Sequence, residues 1–132
     1  MISFEERNEL IKFRIEQARE TISDAEILIQ FKKFRSAVNR IYYGMFYCLL
    51  ALGIKHQFES SKHQQLIGWF NKNFIHTGKI DEKYGLMLRD AFKDRQKGDY
   101  EVYVQFTKEE VDEMFADLKL FVIEIENHLM NE

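Results

Sequence analysis

One stretch of the 132-residue chain limits what it can fold into more than any other. Between residues 41 and 52 almost every position is apolar, and Ile41, Tyr42, Met45, Phe46, Cys48 and Leu49 fall all round a helical wheel rather than on one side. A helix apolar on every face must be surrounded by other elements. The sequence supplies them. Ile11, Ile15, Ala18, Ile22, Ala25 and Ile29 recur at spacings of four and three, one apolar stripe suited to packing on neighbouring helices. Ser3 with Glu6 opens that segment as a capping box. Residues 31–35, with Lys32, Lys33 and Arg35, read as a tight connection. A second helix then runs from about Ser36 to Leu52, with Gly53 as its stop. Ser61 with Gln64 marks a third helix through Leu66, Ile67, Phe70 and Phe74, ended by Thr77 and Gly78. Asp81 caps a fourth through Tyr84, Met87, Leu88, Ala91 and Phe92, ended near Gly98. A loop with Tyr100, Tyr103 and Phe106 leads to a last capping box, Thr107 with Glu110. The helix after it carries Val111, Met114, Phe115, Leu118, Val122, Ile125 and Leu129. The one alternating segment, residues 101–106, is short. The absence of proline and the presence of only six glycines argue against turn-dense all-β folds. The expectation is an all-α bundle of five helices with an up-down four-helix core, in a single domain over residues 1–132.

The formal net charge of −3 conceals a strong polarity along the chain. Residues 1–31 hold four basic and seven acidic side chains, residues 32–97 thirteen and five, and residues 98–132 two and ten, giving −3, +8 and −8. Such runs are ordinarily solvated helix faces; the sharper reading is a basic middle that meets phosphate or an acidic partner. Cys48 is the lone cysteine, so no internal disulfide can form and a reducing compartment fits. It reads as a buried hydrophobe rather than a nucleophile. The first ten residues carry three glutamates and no apolar core, unlike a secretion signal. The apolar run at 41–52 is too short to span a bilayer. A cytoplasmic location without a membrane partner is expected.

Familiar catalytic patterns are missing. The sequence has no Walker loop, no glycine-rich dinucleotide turn and no nucleophile elbow, so no cofactor is expected. His63 and His76 lie thirteen residues apart on one helix, roughly 20 Å at the helical rise, too far to share a metal ion. Two stretches do combine charge with aromatic rings. Arg40 and Tyr43 share one face of the central helix, where an arginine must emerge into a pocket, a partner or an acidic neighbour. At the end of the fourth helix, Arg95 and Asp99 form an (i, i+4) pair followed by Tyr100. A guanidinium placed there can grip phosphate or stack on a base, although helix ends often carry cations to complement the dipole.

The order of these motifs resembles a known family. The segment Ala37-Val38-Asn39-Arg40-Ile41-Tyr42-Tyr43-Gly44-Met45-Phe46 is similar to the "AxxRxYYAxF" helix of HEPN domains (higher eukaryotes and prokaryotes nucleotide-binding). The run from Lys62 and His63 to Phe70, then Phe74, Thr77 and Gly78, is similar to their "KtHxxvixxFxxxFvxtG" segment. Arg95 with Asp99 and Tyr100 resembles the "RxxxDY" element of the small stand-alone prokaryotic branch. The resemblance spans about residues 11–129 and implies a helical bundle, a homodimer and, in many cases, a minimal nucleotidyltransferase partner in a toxin–antitoxin pair. Ribonuclease toxins of this family follow an arginine after four to six residues with a histidine and cut RNA without metal. Here Arg95 matches the arginine, but residues 97–102 contain no histidine. His63 can stand in only if the fold brings it to Arg95.

Three readings follow. The leading one is a HEPN protein that binds nucleotide or RNA, or docks a nucleotidyltransferase, without strong catalysis. Its candidate ligand-binding residues are Arg40, Tyr43, Lys62, His63, Arg95, Asp99 and Tyr100. The second is a metal-independent ribonuclease toxin acting through Arg95 and His63. The third is a structural homodimer with no ligand. The resemblance also makes Tyr100 and Tyr103 candidates for adenylation by a partner, whereas their residue type favours packing of their loop against the bundle.

Overall fold

In the computed structural model, which describes residues 2–130, the chain forms α1 (Phe4–Gln30), α2 (Phe34–Lys55), α3 (His63–Phe70), α4 (Glu82–Tyr100) and α5 (Lys108–Met130). A five-residue π-helical segment, Asn71–Ile75, prolongs α3. α2 packs against all four other helices. Twelve of its 22 residues are buried, among them Ile41, Tyr42, Met45, Cys48, Leu49 and Leu52, so the helix that is apolar all round is the axis of the bundle. By length and composition α2 could also cross a membrane; here its apolar side chains are covered by protein.

Side-chain bonds between helix ends fix the directions. Lys55 Nζ, at the end of α2, donates to the carbonyls of His128 and Leu129 at the end of α5 (2.9 and 2.8 Å), so these helices run parallel. Arg35, near the start of α2, reaches the Gly98 carbonyl near the end of α4, so that pair is antiparallel. Arg19 grips Glu126 through Nε and Nη2 (3.1 and 2.8 Å) and pins the middle of α1 to the far end of α5. The core is therefore the expected up-down arrangement of α1, α2, α4 and α5, with α3 on its flank.

Caps explain where some helices begin. Ser3 accepts from the Glu6 amide, Asp81 from the Lys83 amide, and Thr107 and Glu110 exchange reciprocal bonds of 2.9 and 3.1 Å, as their spacing predicts. Four boundaries differ. Arg35 belongs to α2 rather than to the connection, which is only residues 31–33, with Lys32 at φ 59° making the turn. Gly53 does not end α2. It lies inside the helix, where a Cβ would come within 2.8 Å of the Phe58 carbonyl oxygen, so it is there for close approach of the returning chain. The Ser61–Gln64 box does not form; Ser60 instead bonds the Lys62 amide and Gln65, and α3 starts without a side-chain cap. Gly98 does not stop α4, which continues through Tyr100, because the φ there stays helical. Residues 101–106 form no strand.

Gly44 marks a close crossing of three helices. A Cβ built there meets Thr21 Oγ1 of α1 and Leu118 Cδ1 of α5, the latter at 2.7 Å. Gly44→Ala should lower stability by about 1–2 kcal/mol, because overpacking outweighs the gain in helix propensity of about 0.5–1 kcal/mol. Thermal denaturation would show the loss, and adding Thr21→Ala should recover part of it.

Candidate functional site

The site is built outward from Tyr42. Its side chain has no exposed surface, so its hydroxyl needs a partner inside the protein. That partner is His63 at the start of α3, whose Nδ1 lies 2.6 Å from the phenol oxygen. The imidazole is held flat by stacking on Phe46 at 4.1 Å and on Tyr42 at 5.6 Å, with the edge of Tyr43 at 5.7 Å. On the same aromatic wall sits Arg95 of α4, its Cζ 5.0 Å from the Tyr42 ring centre and 5.6 Å from those of Tyr43 and Phe92. Tyr42 thus touches both groups. The fold supplies the proximity of His63 and Arg95 that the sequence left open.

Arg95 is poorly satisfied for a buried cation. Its side chain is 11% exposed, its Nε is buried without a hydrogen-bond partner, and its contact with Asp99 is 3.4 Å. Charge-assisted N–H···O bonds are ordinarily about 2.7–2.9 Å, so this contact is long. Asp99 is shared with Asn39, whose Nδ2 lies 3.2 Å away. Asn39 in turn accepts from Arg40 Nε and Nη2 (3.1 and 2.8 Å), and Arg40 lies over Tyr43 at 5.1 Å. The chain Arg40–Asn39–Asp99–Arg95 therefore carries two cations against one carboxylate. Rather than pairing with an internal carboxylate, Arg40 bonds an amide and a ring.

Electrostatics sets the proton positions. Burial raises the Tyr42 hydroxyl above its ordinary range, with Arg95 opposing, so the phenol stays protonated. Burial first, and Arg95 second, hold the His63 imidazole below 6.5. A protonated phenol whose one partner is Nδ1 donates to it, since the alternative leaves a buried O–H unbonded. His63 then carries its proton on Nε2. Arg95 and His63 both present N–H donors, an arrangement suited to holding an anion such as a phosphate. The proton acceptor in the cluster, Asp99, is already engaged by Arg95 and Asn39.

Of the residues predicted as a ligand site, Arg40, Tyr43, His63, Arg95 and Asp99 converge. Lys62 is exposed beside His63 at the start of α3. Tyr100 does not join them: it is 76% exposed, and Tyr103 is 94% exposed. The expected packing of these two tyrosines on the bundle is not seen. Their loop is held from below by Arg35, whose guanidinium donates to the carbonyls of Gly98, Glu101 and Val104 (2.5, 3.1 and 2.7 Å). Phe106, packed against the core, takes the inward place. Asn39, Tyr42 and Phe46 are members of the cluster that residue type alone does not single out; only a fully buried phenol beside a histidine makes Tyr42 stand out, and burial is not visible in sequence. Among the described residues other than Lys55 and His56, the ion pair linking the basic stretch to the acidic C-terminal one is Arg95–Asp99.

Two measurements check this description. Because Arg95 helps depress His63, Arg95→Gln should move the His63 titration upward in ring-resolved NMR. A histidine lowered in the folded state adds stability above its unfolded value of 6.5, and that contribution is lost as pH falls through 6.5 towards the lower folded value; the Arg95→Gln variant should lose less over this window. Separately, Arg35→Ala should strip hydrogen-exchange protection from residues 98–106 while leaving α1 and α5 unchanged.

The comparisons with known proteins agree with the geometry. The family model described as HEPN domain matches residues 11–128. The chain is 35% identical over 121 residues to a "UPF0332 protein" of Thermotoga maritima, covering 92% of each. It is 34% identical over 121 residues to "Putative toxin MJ0605" of Methanocaldococcus jannaschii, covering 92% of this chain and 90% of that one. Over 118 residues it is 30% identical to "Putative toxin MJ0142" of the same organism, covering 89% and 80%. With its all-α bundle and its arginine, tyrosine and histidine motifs in family order, the chain belongs to the HEPN domain family.

Proposed function

We propose that this protein is the toxin-type member of a nucleotidyltransferase-linked pair, and that it acts by binding RNA through a phosphate seated between Arg95 and His63, without efficient cleavage. The observation that carries the reading is the unsatisfied guanidinium. Arg95 is held on an aromatic wall with a partnerless Nε and one long contact to Asp99, next to the His63 donor. A phosphate oxygen would complete both. The names of the two Methanocaldococcus relatives support the toxin role, and the +8 balance of residues 32–97 supports an anionic ligand. Weak catalysis follows from the proton inventory. Metal-independent cleavage needs a group to take the 2′-hydroxyl proton, and the resting His63 points its lone pair at Tyr42 while Asp99 is doubly engaged.

A second reading, a ribonuclease using Arg95 and His63, is favoured by one observation: the hydrogen bond that brings His63 beside Arg95. Rotation of the Tyr42 hydroxyl would free that relay. Purified protein incubated with RNA in chelator separates the two: binding without cleavage supports the first, and cleavage abolished by His63→Ala supports the second.

For binding itself, Arg95→Ala should weaken affinity for a single-stranded RNA about tenfold or more. It should also reduce the slope of log K against log salt by about 0.7 for each phosphate no longer gripped. Lys62→Ala should flatten the slope while weakening affinity less. Unchanged affinity in both variants would sink the phosphate reading.

A further inference from the structure

A groove between α3 and α4 begins where the phosphate site ends. Phe92, one of the three rings under Arg95, lines its near end together with Gln64, which directly follows His63. Ile67, Gly68, Asn71, Gly85 and Arg89 complete this part, which has a volume of about 260 Å³. Asn71, Gly85 and Arg89 also border the next hollow, of about 420 Å³, which continues to Ile75, His76, Leu86 and, at its far end, the carboxylate of Glu82. The two form one track leading away from Arg95.

The chemistry of the track is uneven in an informative way. Its floor is apolar, made by Ile67, Phe92 and two residues without side chains. Gly68 is exposed, and a Cβ there would meet nothing within 4 Å, so the opening lies directly above its backbone. Gly85 faces it from α4, with Ile75 at 3.3 Å from its would-be Cβ. The rim carries two primary amides, Gln64 and Asn71, whose side chains have no hydrogen-bond partner among the described residues. Asn71 begins the π-helical segment, where the backbone bond from His76 spans five residues and the helix widens; such segments recur at functional sites. Among the described residues Arg89 is paired with its exposed neighbour Asp90 alone. Residues 62–97, which supply both walls, hold eight basic and four acidic side chains, a balance that favours an anionic ligand.

We infer that this groove holds the base of the nucleotide adjoining the phosphate at Arg95: the ring lies on Phe92, Ile67 and Gly68, and Gln64 and Asn71 bond its edge. The inference rests on the phosphate reading above. A slot with apolar walls and a few convergent amides, continuous with a cationic phosphate site, takes a single-stranded base. Paired bases cannot enter, since their edges are engaged and their faces stacked, so the ligand is unpaired RNA.

Two ligands distinguish the groove from the phosphate site: a short single-stranded RNA, and an abasic ribose-phosphate oligomer of the same length. The full chain should prefer the base-bearing RNA by about tenfold or more, the range expected for one stacked base. Gly68→Leu projects into open space from a helical residue and should leave the thermal stability intact while erasing that preference. Gly68→Ala should retain it. Gln64→Ala with Asn71→Ala, which removes two amides without a hydrogen-bond partner among the described residues, should reduce it and flatten discrimination among the four bases. Arg95→Ala should weaken both ligands alike. If the native chain shows no preference, or Gly68→Leu keeps it, the groove proposal is overturned while the phosphate site stands. If Arg95→Ala leaves both affinities unchanged, the phosphate reading itself fails.

Discussion

A buried phenol organises this molecule. α2 is covered on every side, and within it Tyr42 alone of the tyrosines has no exposed surface. Apolar neighbours can satisfy its ring but not its hydroxyl. An unbonded hydroxyl there would cost about 1–3 kcal/mol. The bond to His63 removes that cost, and in doing so it fixes the start of α3 against α2. With the helix start fixed, Phe46 and Tyr43 clamp the imidazole, and the rings of Tyr42, Tyr43 and Phe92 become the seat for Arg95. Packing and site are one arrangement of aromatic rings, seen from two sides.

That arrangement also explains why the cluster presents donors. Burial keeps Tyr42 protonated and His63 neutral; Arg95 opposes the first shift and reinforces the second. A neutral imidazole that accepts on one nitrogen must offer a hydrogen on the other. The arginine contributes further donors and a charge that its single carboxylate neighbour matches at long range. The donors that the cluster presents are thus the consequence of how the core resolved its own hydrogen bonding.

Much of the fold was legible in the sequence because helices announce themselves locally. The stripe from Ile11 to Ile29, the capping pairs Ser3–Glu6 and Thr107–Glu110, and the all-round apolar central segment each depend on residues a few positions apart. Two of the displaced boundaries share one cause. Gly53 and Gly98 read as stops, yet both sit at helical φ, serving the close passage of residues 53 to 58 and of Phe106 against α4; a glycine that makes room and a glycine that makes a turn look identical in one dimension. The site was half legible. Arg40, Tyr43, His63, Arg95 and Asp99 could be chosen by residue type and motif, and they do meet. Tyr42 stands in the same motif as Tyr43, but its role, like that of Asn39, depends on burial and on contacts 21 and 60 residues away in sequence. The exposure of Tyr100 and Tyr103 was equally hidden, since it follows from Arg35 and Phe106 holding the loop in their stead.

Arg35 has a consequence for that loop. Three carbonyls from its two ends converge on one planar cation, and the Thr107–Glu110 cap closes the far side. The backbone beneath Tyr100, Val102 and Tyr103 is therefore already in place while their side chains stand in solvent. Any molecule that meets this surface encounters a preorganised platform, and the conformational entropy that a floppy loop would lose on association has been given up in advance, during folding.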